Sequence, residues 1–125
     1  MMYDRYLFRG RTLGKNEWII GAPWISGDQA IINGVFIDPT TIGQCTGMHD
    51  IKDVLIYEGD IVLCDGEPFL VCWNSSCLQF TLINQPSFVV VRGHEFKQTF
   101  VYCVLLKEVI GNIYENPELL EVQHG

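Results

Sequence analysis

The sequence is poor in the features that most readily announce a function. It has no CxxC pair, no Gly-Lys-Ser/Thr phosphate loop, no heptad, internal repeat or low-complexity tract, and no excess of basic residues. Its longest apolar stretch, Phe100 to Leu106, falls far short of the roughly 20 residues that a membrane helix needs. The opening Met1-Met2-Tyr3-Asp4-Arg5 lacks the charged-then-apolar pattern of a secretory signal, so a cytoplasmic location is expected. Eight Lys and Arg stand against fifteen Asp and Glu, a formal net charge of −7. That balance favours solubility and repels phosphate backbones, which disfavours nucleic-acid binding. The nearest basic cluster is Arg5, Arg9 and Arg11, and Asp4 and Tyr6 sit beside it. Cysteine is present but unpaired in pattern: five residues, Cys45, Cys64, Cys72, Cys77 and Cys103, an odd number. In a cytosol these read as reduced thiols, with Cys64, Cys72 and Cys103 inside apolar runs where a thiol acts as a small hydrophobe.

What is there is strand-and-turn text. Hydrophobic residues make up 48% of the 125 residues and charged residues 18%, enough for a folded core without disulfides. Two-residue alternation and short apolar runs dominate, punctuated by Gly, Asn and Asp. Tyr6 to Arg9 and Glu17 to Gly21 read as strands around a Leu13–Asn16 turn. Ala30 to Ile32 and Val35 to Ile37 flank Asn33-Gly34, the dipeptide best suited to a type I′ hairpin. Asp38 to Gly47 reads as a turn-rich segment, initiated at Asp38-Pro39. Ile61 to Cys64 and Phe69 to Trp73 flank Asp65-Gly66, a second hairpin. Leu78 to Ile83, Phe88 to Val91, Phe100 to Leu106 and Val109 to Tyr114 read as further strands, with a helical Glu95 to Leu106 as the alternative. Asn116-Pro117 with Glu118 marks one short helical turn near the C-terminus. The expected fold class is mainly β.

Three blocks carry a resemblance. Asp38-Pro39-x-Thr41-Ile42-Gly43-Gln44-x-Thr46-Gly47-Met48-x-Asp50, followed by Ile56-Tyr57-Glu58-Gly59-Asp60-Ile61-Val62, resembles the central motif of the YopX family of phage and prophage proteins. Tyr6-Leu7-Phe8-Arg9-Gly10 with Glu17-Trp18 is similar to that family's opening, and Val109-Ile110-Gly111-Asn112-Ile113-Tyr114-Glu115-Asn116-Pro117-Glu118-Leu119-Leu120 to its C-terminal motif. The chain departs at Cys45, where an aromatic residue is usual, and over Asp50 to Leu55, where a more polar, Gly-containing turn is common. The resemblance implies an SH3-like β-barrel over residues 55–125, a β-hairpin and loop extension over 1–54, and a phage or prophage gene. It implies no particular reaction.

The chemistry-bearing residues invite sharper readings. Glu58-Gly59-Asp60 brings two carboxylates close enough to share a cation or divide proton duties. Turn chemistry explains the same residues more simply, because Gly59 permits the bend and Asp60 can accept from backbone N–H groups. Cys45 with His49 suggests a nucleophile and base, but no third group is evident to orient the histidine. Cys45 with His49, or Cys72 with Cys77, supplies only fragments of a zinc pattern. His94 and His124 read as surface residues, and Asn74-Ser75-Ser76 as a turn rather than a glycan acceptor. Of the aromatics, Trp18 and Trp73 are expected in the core and Trp24, beside Pro23 in a loop, at the surface. Such rings, with Tyr57 and Tyr114, offer a binding face of the kind that takes proline-rich peptides. No catalytic, metal or cofactor residue is assigned. The expected function is that of a non-enzymatic accessory protein, acting through contact with a phage or host protein and as a homo-oligomer. The alternatives are a metal-assisted hydrolase using Asp38, Asp50, Glu58 or Asp60, and a protein that binds or mimics nucleic acid.

Overall fold

The computed structural model describes residues 6–64, 66–75, 78–83 and 108–120. Among them the protein is mainly β, with eleven strands in three antiparallel sheets and two short 3₁₀ turns. The strands expected at Phe88 to Val91 and Phe100 to Leu106, the helical alternative at Glu95 to Leu106, and Arg5, Cys77, His94, Cys103 and His124 lie outside the described residues. The chain divides into two compact units, residues 1–47 and 48–125.

The first unit packs two small sheets against each other. In one, β1 (Phe8–Arg11) lies between β2 (Trp18–Gly21) and β6 (Gly43–His49). In the other, β3 (Pro23–Ser26), β4 (Gln29–Ile32) and β5 (Val35–Ile37) follow in order. The β4–β5 hairpin forms where Asn33-Gly34 places it, with φ of 51° and 78° and Ile32 opposite Val35, as a type I′ turn requires. Ala30, Ile32 and Ile37 form the buried core of the unit, with Ile19 and Ile42 packed against them. Burying a side chain such as Ile32 or Ile37 contributes roughly 1.5–3 kcal/mol. The β1–β2 layer can approach this core closely because Gly10 carries no side chain: a Cβ there would sit 2.2 Å from Ile37 Cγ2.

Two expectations are corrected in this unit. Residues 38–47 are not turn throughout. A 3₁₀ turn, Pro39–Thr41, is followed by strand β6, which pairs with β1 at Phe8–Gln44 and Arg9–Gly43. Glycine and proline mark the segment as turn, and pairing with β1 makes its second half a strand despite Gly43 and Gly47. Trp24 likewise belongs to a strand, β3, and not to a loop. Proline can begin that strand because it lies at the edge of its sheet.

In the second unit the chain leaves β6, turns through Asp50–Val54 and enters β7 (Leu55–Tyr57). β8 (Asp60–Cys64), β9 (Glu67–Asn74), β10 (Gln79–Ile83) and β11 (Glu108–Asn112) then form a four-stranded sheet ordered β10-β9-β8-β11. Ile56, Val62, Cys64, Val71, Phe80 and Leu82 make its core, joined by Met48, Phe69 and Val109. On the opposite face of the sheet Ile61 and Thr81 are also fully buried. The expected short helical turn is present at Pro117–Leu120. Among the described residues no helix is long and apolar enough to cross a membrane.

Thr81 is the weak point of this interior. Its side chain is fully buried and its hydroxyl has no hydrogen-bond partner among the described residues. A shape-conserving Thr81→Val removes that desolvated hydroxyl without opening a cavity. Urea unfolding of the variant is expected to show a stability gain of about 1 kcal/mol with an unchanged denaturant slope.

Candidate interaction surface

Strand pairing decides which side chains reach the outside of the first unit. Residues directly opposite on antiparallel strands share a face. Trp24 pairs with Ile31, and Ile31 with Phe36, so the three cross β3, β4 and β5 as one apolar ladder. The ladder lies opposite the face carrying the buried Ala30, Ile32 and Ile37. Trp24 is 61% exposed and Phe36 52%. Leu13, also exposed, donates its N–H to the Phe36 carbonyl and extends the patch beyond β5. The outer side of β5 is tied down by the Thr12–Ile37 bridge and by the Asp38 N–H donating to Arg11 O. Among the described residues β3 is therefore the open edge of this sheet. The surface was legible in part: Ala30-Ile31-Ile32 and Val35-Phe36-Ile37 are apolar on both faces of their hairpin, one face more than a single core requires.

The aromatic expectations divide. Trp24 is exposed as expected. Trp18 is only half-buried and carries the Arg9 guanidinium 4.3 Å from its ring centre. Trp73 is 42% exposed and meets the buried Phe80 edge-on at 5.1 Å. Neither belongs to a core cluster. Trp18 lies on the face of β2 opposite Ile19, whereas Trp73 pairs with Phe80 at the end of the core face of β9; an indole can cover apolar neighbours with one face and keep the other in water.

The motif carboxylates are occupied in turns. Asp38 Oδ1 accepts from the N–H and hydroxyl of Thr40, capping the 3₁₀ turn behind Pro39. Thr41 completes that staple by donating its hydroxyl to Asp38 O and accepting from the Arg11 N–H. Asp50 Oδ1 accepts from the N–H groups of Lys52 and Val54, and its Oδ2 from Val109 on β11. Burial pushes the Asp50 carboxyl up. The bonds from Val109, Val54 and Lys52 and the Lys52 charge outweigh that effect and hold it below its ordinary value. The turn at Asp50–Leu55, where the sequence departs from the usual pattern, is thus built around Asp50 itself. Asp60 Oδ2 accepts from the Tyr57 N–H at 2.8 Å. Gly59 donates to Val71 O and accepts from the Ile113 N–H, tying this turn to β9 and to the end of β11.

The C-terminal motif is a self-contained clasp. Asn112 Oδ1 accepts from the N–H groups of Tyr114 and Glu115, and its amide donates to Glu115 Oε1. Asn116 Oδ1 accepts in return from the Asn112 N–H. The Asn116 side chain therefore points back to Asn112, and it is the Asn116 carbonyl that receives the Leu119 N–H of the 3₁₀ turn begun by Pro117. Gly111 lies at a bulge in the pairing of β11 with β8. Gln44 and Thr46, two residues apart, take the same face of β6, whose pairing with β1 covers Gly43 and Gln44.

The thiols and histidine are equally committed. Cys45 is fully buried, and its sulfur accepts from the Gly47 N–H at 3.4 Å. Burial, with the Glu58 charge second, pushes the Cys72 thiol up to about 12, far from the range of a reactive thiolate. His49 faces Asp53 at 3.9 Å. Among the described residues no group of three or more His, Cys, Asp and Glu is placed to hold a metal ion.

No curated protein matches the chain. One family model, described as YopX protein, matches residues 13–121, a span that includes the Asp38–Thr41 staple, the Asp50 turn, the Glu58-Gly59-Asp60 turn and the Asn112–Asn116 clasp. The chain belongs to the YopX family.

Proposed function

We propose that the protein is a non-enzymatic accessory protein of phage or prophage origin that works in the host cytosol by protein–protein contact, in the first place with a second copy of itself. The observation that carries this reading is the exposed Trp24–Ile31–Phe36 ladder. Apolar cross-strand ladders are ordinarily turned toward a core or an interface, and aromatic residues are enriched at interfaces. A second copy is the occupant favoured here because an uncharged face is its own complement, while a chain of net charge −7 repels itself elsewhere. Side-by-side addition at β3 is less suitable, since Pro23 has no N–H to offer along that edge. In this reading residues 1–54 form the β extension bearing the contact face. Residues 55–125 form the SH3-like barrel, in keeping with the antiparallel succession β8-β9-β10 that opens at Glu58-Gly59-Asp60. The hydrolase alternative finds no support in Asp38, Asp50 and Asp60, each bonded to backbone N–H groups of its own turn.

The test is the oligomeric state across micromolar concentrations by light scattering. The intact chain is expected to dimerise, and the double variant Trp24→Ser, Phe36→Ser to remain a folded monomer by circular dichroism. A wild-type chain that stays monomeric throughout, or a double variant that dimerises equally well, overturns the proposal.

A further inference from the structure

The two units differ in charge. Residues 1–47 hold Asp4, Glu17, Asp28 and Asp38 against Arg5, Arg9, Arg11 and Lys15, and so carry no net charge. Residues 48–125 hold eleven acids against four bases, Lys52, Arg92, Lys97 and Lys107. The whole formal charge of −7 therefore belongs to the second unit. The apolar Trp24–Ile31–Phe36 ladder belongs to the first. Attraction and repulsion between copies are thus divided between the units. The apolar attraction is short-ranged and little altered by dilute salt, whereas the charge repulsion is long-ranged and screened by it.

We infer that self-association is controlled by ionic strength, the charge of the second unit opposing at low salt the contact that the first unit makes. This rests on the self-association proposed above and names its regulation. Repulsion between two copies grows with the product of their charges, and it reaches about 30 Å at 0.01 M salt but only about 8 Å at 0.15 M. A length of about 30 Å is the diameter of a small domain. In dilute salt the charges of one copy therefore act on most of those in the next. At the higher salt only charges beside the contact still act, and the unit that makes the contact is balanced. A contact held instead by ion pairs, through the exposed Lys15 and Glu17 of the first unit, would loosen as salt rises. The expected sign here is the opposite. The effect belongs to the summed charge and needs no ordered cation site.

Sedimentation velocity of the intact chain at micromolar concentration and constant pH, in sodium chloride from about 0.01 to about 0.15 M, reads the dimer dissociation constant. The constant is expected to fall by roughly tenfold or more across that range. The triple variant Asp53→Asn, Glu67→Gln, Glu118→Gln removes three exposed carboxylates of the second unit and cuts the repulsion by about two-thirds. It is expected to dimerise more tightly than wild type in dilute salt and to match it at the higher concentration. Circular dichroism establishes that it folds. The double variant Trp24→Ser, Phe36→Ser separates the two ways of failing. If the wild-type dimer is absent from that variant, yet loosens with salt or ignores it, this inference is overturned and the ladder contact stands. A triple variant as responsive to salt as wild type overturns it in the same way. A chain that is monomeric at every salt concentration overturns the contact and its regulation together.

Discussion

Asp50→Ala is expected to lower the unfolding free energy by about 3 kcal/mol, because one side chain serves three backbone donors. The carboxylate holds the Lys52 and Val54 N–H groups of its own turn and reaches across to Val109 on β11. Charge-assisted bonds of this kind are the stronger ones, and their donors lose their partner together. The Lys52–Glu108 ion pair spans the same junction at 2.9 Å, but exposed pairs contribute little and cannot compensate. Asp53→Asn, in the same turn, is the control. Its side chain is largely exposed, and asparagine tolerates its φ of 65°, so the change stays within about 0.5 kcal/mol. Chemical denaturation of the three proteins side by side measures the difference.

The effect carries a pH signature. Asp50 titrates below its ordinary value of 3.8 in the folded protein. A carboxyl depressed in this way contributes its full stability above the unfolded value, and that stability is lost as pH falls through the folded value. Wild type and Asp50→Asn should therefore differ by a constant amount at neutral pH and converge only below about pH 4. A gap that persisted into strong acid would show that the bonds to Val109, Val54 and Lys52 do not depend on the charge.

The second large effect is expected at Gly10. A methyl group there would fall 2.2 Å from Ile37 Cγ2 and 3.4 Å from Ile42 Cγ1. Gly10→Ala must then separate the two layers of the first unit or drive Ile37 from its rotamer, at a cost of about 3 kcal/mol. Ile37→Ala alone opens a cavity and costs about 2–5 kcal/mol. Combined, the two changes should cost less than their sum, because the cavity left by one receives the methyl of the other. Strict additivity would mean that Gly10 does not face Ile37.

The pattern of success in the sequence follows how local each signal is. Asn33-Gly34 specifies a hairpin within four residues, and the structure has it. Asp38-Pro39 and Asn116-Pro117 specify turns just as locally, and both 3₁₀ turns start at those prolines. Strand β6 could not be read in this way. Gly43 and Gly47 weaken any strand signal, and only pairing with β1, more than thirty residues earlier, makes the segment extended. The candidate surface was half legible for the same reason. The exposure of Trp24 followed from its neighbour Pro23, but its alignment with Ile31 and Phe36 depends on β3 pairing in a register that no short window encodes. Trp18 misled because a large ring between apolar neighbours resembles a core residue. Two arginines two residues apart on the partner strand gave it an outward role instead.

The Asn33 side chain has one more effect, on how the protein ages. Asn-Gly is the dipeptide most prone to spontaneous deamidation, and here the asparagine amide donates to Ile20 O at 3.0 Å, which restrains it from attack by the following backbone nitrogen. Conversion to aspartate would set a carboxylate oxygen against that carbonyl and turn an attraction into a repulsion. Slow chemical damage at a single turn would thus loosen β2 from β4 and, with it, the seam where the two layers of the first unit meet.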